Sequence, residues 1–247
     1  MFSLTTTVAL TVAMLATSLL SGIFGMAGGM ILMGILIALL PLPAAMVLHG
    51  VSQLASNGWR AWLWRHHVNP RIAIEYIIGA VIALSLSLLV KYVPEKPYAL
   101  ISLGLLPFIA RAIPDRLTPD MMKRGHSVLC GIICVTVQIT TGIAGPILDT
   151  YFIRSGLDRK AIVATKASVQ VFGHISKLIY FGALIDEAVG VDPVLAAIAI
   201  VCAVVGTTLA SRVLEVMTEA QFRKWTNLII TCVALTYIAN GLWLLIR

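Results

Sequence analysis

The first 59 residues contain no Asp, Glu, Lys or Arg, and the first charged side chain is Arg60. Charged residues make up only 12% of the chain, against roughly a quarter in soluble domains. No polar stretch between apolar segments is long enough to fold as a soluble domain. The chain has no P-loop, no His-Glu-x-x-His and no Gly-x-Ser-x-Gly, so the common nucleotide, zinc-hydrolase and serine-hydrolase signatures are missing and no enzyme, cofactor or metal site is expected. The four cysteines, Cys130, Cys134, Cys202 and Cys232, lack zinc or disulfide spacing and read as small apolar residues. A basic region ahead of the first apolar run is also lacking, which argues against a signal peptide.

What the chain does have is apolar length. Of 247 residues, 59% are hydrophobic, and the net charge of +7 sits in short loops. That placement excludes a nucleic-acid partner and makes the bilayer the expected one. Ten apolar segments can be read, at 4–21, 29–40, 44–64, 72–90, 97–113, 125–141, 145–154, 160–182, 193–211 and 225–245. The fold class expected is an all-α polytopic membrane protein. Segments 29–40 and 145–154 are too short to cross, because a crossing needs about 20 residues. Each follows a longer segment across a glycine break. A helical hairpin turning inside the membrane fits, provided that protein or a water-lined cavity satisfies its backbone.

Charge sets the orientation. Arg60, Arg65 and Arg71 form one group, Arg111, Arg116, Lys123 and Arg124 a second, Arg154, Arg159 and Lys160 a third, and Arg212, Arg223 and Lys224 a fourth. One topology puts all four in the cytoplasm and leaves Lys91, Lys96, Asp186, Glu187 and Asp192 outside, as the positive-inside rule favours. The bookkeeping closes only if each half holds a hairpin and three crossings. The chain then reads as one transmembrane transporter unit over 1–247, with two inverted-topology repeats at 4–113 and 121–245.

A polar stripe occurs twice at an offset of 117 residues: His49, Gln53, Asn57 and Arg60, then Lys166, Gln170, His174 and Lys177. Steps of four, four and three keep each set on one helix face. The same offset superposes Gly25-Met26-Ala27-Gly28 on Gly142-Ile143-Ala144-Gly145. Inverted repeats with broken helices are how many secondary transporters build a central solute site. Each break presents a helix N-terminus, whose free N–H groups favour an anion. Tight helix packing through small residues is the competing reading of the glycines.

Counting about 1.5 Å per residue from Lys160 puts Lys166 roughly 9 Å and Gln170 roughly 15 Å into the membrane. A charge so placed costs about 2.5–3.5 kcal/mol, which an anionic substrate or a counter-charge such as Asp149 would offset. Lys177 and Arg60, near segment ends, read as cations snorkelling to the interface. The expected substrate-binding set is Lys166, Gln170, Gln53, His49, Asn57, His174, Gln138, Thr141, Gly25, Gly28 and Gly145. Asp149, His49 and His174 are the candidates for coupling a proton. Trp59, Trp62 and Trp64 beside Arg65, His66 and His67 read as an interfacial belt.

Three blocks carry a family resemblance: Ser21-Gly-Ile-Phe-Gly-Met-Ala-Gly-Gly29, Thr141-Gly-Ile-Ala-Gly-Pro-Ile-Leu148, and the helix from Val163 through Gln170 to Lys177-Leu-Ile-Tyr-Phe-Gly182. In these the chain resembles the sulfite exporter TauE/SafE family, the TSUP permeases, over nearly its whole length. The resemblance implies a multi-pass bacterial inner-membrane permease for small anions such as sulfite, organosulfonates or thiosulfate, and leaves the direction of transport open. Two other readings stand beside a secondary transporter: a passive anion channel, and a membrane sulfur-transfer protein using Cys130 and Cys134. Oligomeric state is not legible.

Overall fold

The computed structural model describes residues 4–24, 26–184, 191–216 and 218–247. Gly25, Asp186 and Glu187 lie outside the described residues. The described residues form helices and no strand: α1 Leu4–Phe24, α2 Met26–Leu39, α3 Leu42–Leu63, α4 Pro70–Val90, α5 Lys96–Ala112, α6 His126–Thr141, α7 Gly145–Phe152, α8 Arg159–Leu184, α9 Pro193–Val216 and α10 Glu219–Ile246. Each expected segment has its helix. Proline stands in the first turn of α3, α4, α5 and α7, where its missing N–H is no loss. Asn69 caps α4 by accepting from Ile72 N at 3.2 Å, and Asp158 caps α8 by accepting from Ala161 N at 3.0 Å. That backbone bond comes first in holding the Asp158 carboxyl below its ordinary range.

The two short helices are indeed short, 14 residues in α2 and 8 in α7. One boundary differs from expectation. Helix α2 begins at Met26, so Gly28 and Gly29 lie in its first turn and not in the break. A Cβ on Gly28 would stand 2.1 Å from Thr17 O, so this glycine serves close packing of α2 on α1, as small residues do between membrane helices.

Helix α1 packs on α9 and α6 on α4, while α3 lies against α8 and α5 against α10. Glycines let three of these pairs approach closely; between α5 and α10 a Cβ on Gly104 would meet Ala234 O at 2.6 Å. A Cβ on Gly79 would meet Val128 O at 2.0 Å, and one on Gly131 would meet Tyr76 O at 2.2 Å. Between α1 and α9 the corresponding places are Gly22, against Ala210, and Gly206, against Ser18.

Basic loops gather at one end of the bundle. Lys160 Nζ lies 5.7 Å from the centre of the Trp64 ring, Asn69 N donates to Thr165 Oγ1 at 2.9 Å, and Met121 N donates to Tyr151 O at 3.0 Å. The last bond returns the end of α7 to the loop before α6, so α6 and α7 form a hairpin that leaves by the end it entered. At the opposite end Tyr180 OH donates to Tyr92 O at 2.7 Å. Helices α1, α4, α9 and α10 each contain a stretch long and apolar enough to cross a bilayer. Val12, Ile74, Val81, Leu89 and Val201 stand exposed on the outside. Such a surface suits acyl chains as solvent, while the polar stripes of α3 and α8 turn inward.

Candidate functional site

Helix α2 meets the turn between α6 and α7. A Cβ on Gly145 would lie 2.8 Å from Met26 Cβ, and one on Gly142 would lie 2.8 Å from Met33 Sδ. The first turn of α2 therefore abuts the break between α6 and α7. A cavity of ≈ 20 Å³ opens there, room for about one water-sized molecule. Its polar wall is His49 and Gln53 of α3, Gln138 of α6, and Gln170 and His174 of α8. Tyr76 and Cys134 flank it from α4 and α6, and Gly29 and Gly145 expose backbone to it.

The break itself is built by Gly142, whose φ of 92° ends α6 in the left-handed region, where a side chain is disfavoured. Its N–H donates to Gln138 O at 2.9 Å. Thr141 Oγ1 lies 2.9 Å from Val137 O and 2.8 Å from Ile143 O, so that hydroxyl is committed to shaping the turn.

One hydrogen-bonded chain spans the site. His49 Nε2 donates to Gly29 O at 3.0 Å. That fixes the neutral tautomer, leaving Nδ1 as an acceptor. Lys177 Nζ donates to this Nδ1 at 2.7 Å and to Gly142 O at 3.0 Å. The chain thus runs from the first turn of α2 through His49 and Lys177 to the end of α6. Beside it, Gln138 Nε2 bonds His174 Nδ1 at 2.8 Å, and the His49 and His174 rings lie 5.7 Å apart between centroids. Gly173 makes room for that pair, since a Cβ there would stand 2.7 Å from Gln138 Oε1. Gln53 Nε2 is buried and has no hydrogen-bond partner.

Lys177 corrects the sequence reading most. Placed near the end of its segment, it was expected to reach the interface. Instead its relative exposure is 0%, because the side chain turns inward to His49 and to the carbonyl at the end of α6. Arg60, 117 residues earlier, also turns inward, donating from Nη2 to Ser21 O at 3.1 Å. Among the described residues no carboxylate pairs with Lys177. The repeat spacing was the available signal: Lys177 is three residues past His174, on the same stripe.

The other expected residues divide. His49, Gln53, Gln138, Gly145, Gln170 and His174 come together around the cavity. Lys166 is not part of its wall. Its Nζ forms a salt bridge with Asp149 of α7, both side chains partly exposed. Asn57 is buried but donates to Gln53 O at 2.9 Å within its own helix. Thr141 and Gly28 serve the turn and the packing described above, and Gly25 lies outside the described residues. Tyr76 and Cys134 join the wall although no pattern had singled them out as lining residues.

A family model described as Sulfite exporter TauE/SafE matches residues 9–237. The chain belongs to that family. No curated protein and no solved structure matches it significantly. Membership in TauE/SafE, a transporter family, agrees with the apolar helices and makes this a multi-pass membrane protein of transport function. In this TauE/SafE chain the matched region takes in the α6–α7 hairpin, both polar stripes and every cavity-lining residue.

Proposed function

We propose that this protein is a secondary transporter of small anions, sulfite or organosulfonates in class, working in the bacterial inner membrane by alternating access between two inverted halves. The observation that carries the reading is a fully buried lysine without a carboxylate partner among the described residues, Lys177, one hydrogen bond behind the wall of a cavity. Uncompensated charge at that depth is expensive unless a ligand of opposite sign visits it. Gln53 adds an unpaired donor at the same place, and Gln138, Gln170 and His174 can turn further N–H groups toward bound oxygens. The starts of α2 and α7 add backbone dipoles of favourable sign.

Equivalent roles across the 117-residue offset support two related halves. His49 and Lys166 each bind the short helix of their own half, at Gly29 and Asp149. Gln53 and Gln170 both face the cavity. The packing of α1 on α9 mirrors that of α6 on α4. In this reading Lys166, released by Asp149, is the first cation met by an anion entering from the basic end.

The small central volume favours a carrier over an open channel, since a passing anion needs the walls to part. Reconstituted protein should exchange labelled sulfite or methanesulfonate in counterflow and accumulate it against a gradient. Downhill flux alone, without counterflow, would make it a channel. Absence of any anion flux in folded protein would remove the reading.

A further inference from the structure

The geometry points to His49 and Lys177 as a proton-carrying pair that loads one proton with each anion, so that the substrate moves as an anion–proton symport. This rests on the anion-permease reading above and adds the coupled ion and its seat.

The argument is one of donors and acceptors. His49 Nε2–H is held by Gly29 O at 3.0 Å, which leaves Nδ1 the only free lone pair on the ring. That lone pair accepts from Lys177 at 2.7 Å. The His49–Lys177 contact therefore works with one proton between the two nitrogens. With Lys177 held as an ammonium, which has no lone pair to accept with, a second proton passing from hydronium to His49 Nδ1 forms a new N–H bond there and leaves two donors and two positive charges face to face. The His49···Lys177 hydrogen bond must then break. Its breaking frees the link between the first turn of α2 and Gly142 O, which Lys177 holds at 3.0 Å.

The doubly protonated pair needs a negative charge, and the cavity beside it is where an anion would stand. Anion and proton stabilise each other, so each promotes the binding of the other. Departure of the anion returns the proton to water on the other side and restores the bond.

Few other groups compete for this role. Facing the site are His174 of α8, bonded through Nδ1 to Gln138, Tyr76 of α4 and Cys134 of α6. Helices α1 and α2 carry no titratable side chain in their described lengths. Cys202 of α9 donates to Thr11 O at 3.7 Å. Asp149 of α7 is taken by Lys166.

The test uses purified full-length protein in proteoliposomes with labelled methanesulfonate, the anion of a strong acid that carries no proton of its own. Two rates are compared: counterflow without a pH gradient, and uptake driven by an acidic exterior, with a dye reporting alkalinisation outside. Wild type should show several-fold stimulation by the gradient and about one proton taken up per anion. In His49→Gln the amide can still accept from Lys177 and donate to Gly29 O but cannot titrate. The counterflow that remains should show no stimulation, a ratio near one, while Asp149→Asn keeps the wild-type ratio. Persistent stimulation in His49→Gln, or exchange by wild type without any gradient effect, overturns the proposal and leaves the anion reading standing. A folded His49→Gln that neither exchanges nor binds anion also overturns it, making His49 an anion ligand instead. Absence of anion exchange in wild type defeats the permease reading itself.

Discussion

Arg60 and Lys177, 117 residues apart in matching places of the two stripes, each donate to a carbonyl at the end of the first helix of their own half. Arg60 meets Ser21 O in the last turn of α1 at 3.1 Å, and Lys177 meets Gly142 O just past α6 at 3.0 Å. A cation at a helix C-terminus satisfies orphan carbonyls and opposes the negative end of the dipole. Each thereby steadies the end of that helix. Lys177 adds the bond to His49, which ties the turn in the second half to the polar stripe of the first.

Lys177→Ala is expected to lower anion uptake by at least tenfold, about 1.4 kcal/mol in the transport barrier. It leaves His49 Nδ1 and Gly142 O without their donor, and an unpaired buried polar group costs about 1–3 kcal/mol. A melt without ligand should therefore fall too. Stabilisation by added sulfite or sulfonate should vanish in the variant and return in part in Lys177→Arg. Undiminished ligand stabilisation in Lys177→Ala would move the binding charge elsewhere.

Gly142→Ala should destabilise the protein through the turn alone. An L-residue at a φ of 92° is strained, by about 1–2 kcal/mol for left-handed backbone. The new methyl also meets Met33 Sδ at 2.8 Å. Thermal melting of Gly142→Ala, of Met33→Ala and of the pair separates the two contributions. The double variant should recover the steric part and keep the backbone part. Full recovery would mean that the conformation of Gly142 contributes nothing.

Lys166 and Asp149 should behave as a surface-grade pair. Their side chains are 26% and 37% exposed, and exposed pairs are worth about 0.2–1 kcal/mol in double-mutant cycles. A cycle of Lys166→Ala and Asp149→Ala read by melting should give a coupling in that range. In uptake, Lys166→Ala should slow entry far less than Lys177→Ala stops it. The reverse order of severity would return the substrate charge to Lys166.

Much of the fold was legible because apolar length and period are local properties. All ten segments became helices, and the two shortest of these α-helices are the two that follow the breaks. The site was legible where the signal was periodic: His49, Gln53, Gln170 and His174 share a cavity because steps of three and four kept them on one face. Two features were misjudged for physical reasons. Depth along a helix does not say which way a side chain turns, so the place of Lys177 near the segment end suggests the interface although the structure buries it against His49 and Gly142 O. A glycine run does not say whether its freedom is used for turning or for packing, and Gly28 turned out to pack against Thr17. The approach of Tyr76 to the cavity depends on the contact of α4 with α6, a pairing no local pattern encodes.

Cys130 and Cys134 offer the clearest separation of a permease from a sulfur-transfer protein. Their sulfurs lie 3.7 Å apart on α6, and both side chains are fully buried. Cys134 reaches the cavity wall, whereas Cys130 does not. A sulfur relay would need both, one to take the cargo and one to resolve the adduct. A permease needs neither, since a buried thiol packs as a small apolar group with a weak donor. Cys130→Ser removes the second sulfur while keeping nearly the same volume, and its hydroxyl can bond a carbonyl one turn back. Sulfite flux in Cys130→Ser proteoliposomes is therefore expected within about twofold of wild type, the spread that a few tenths of a kcal/mol produces. Loss of flux in a folded Cys130→Ser variant, with methanesulfonate exchange intact, would show that sulfite reacts with the chain on its way through and would favour the relay.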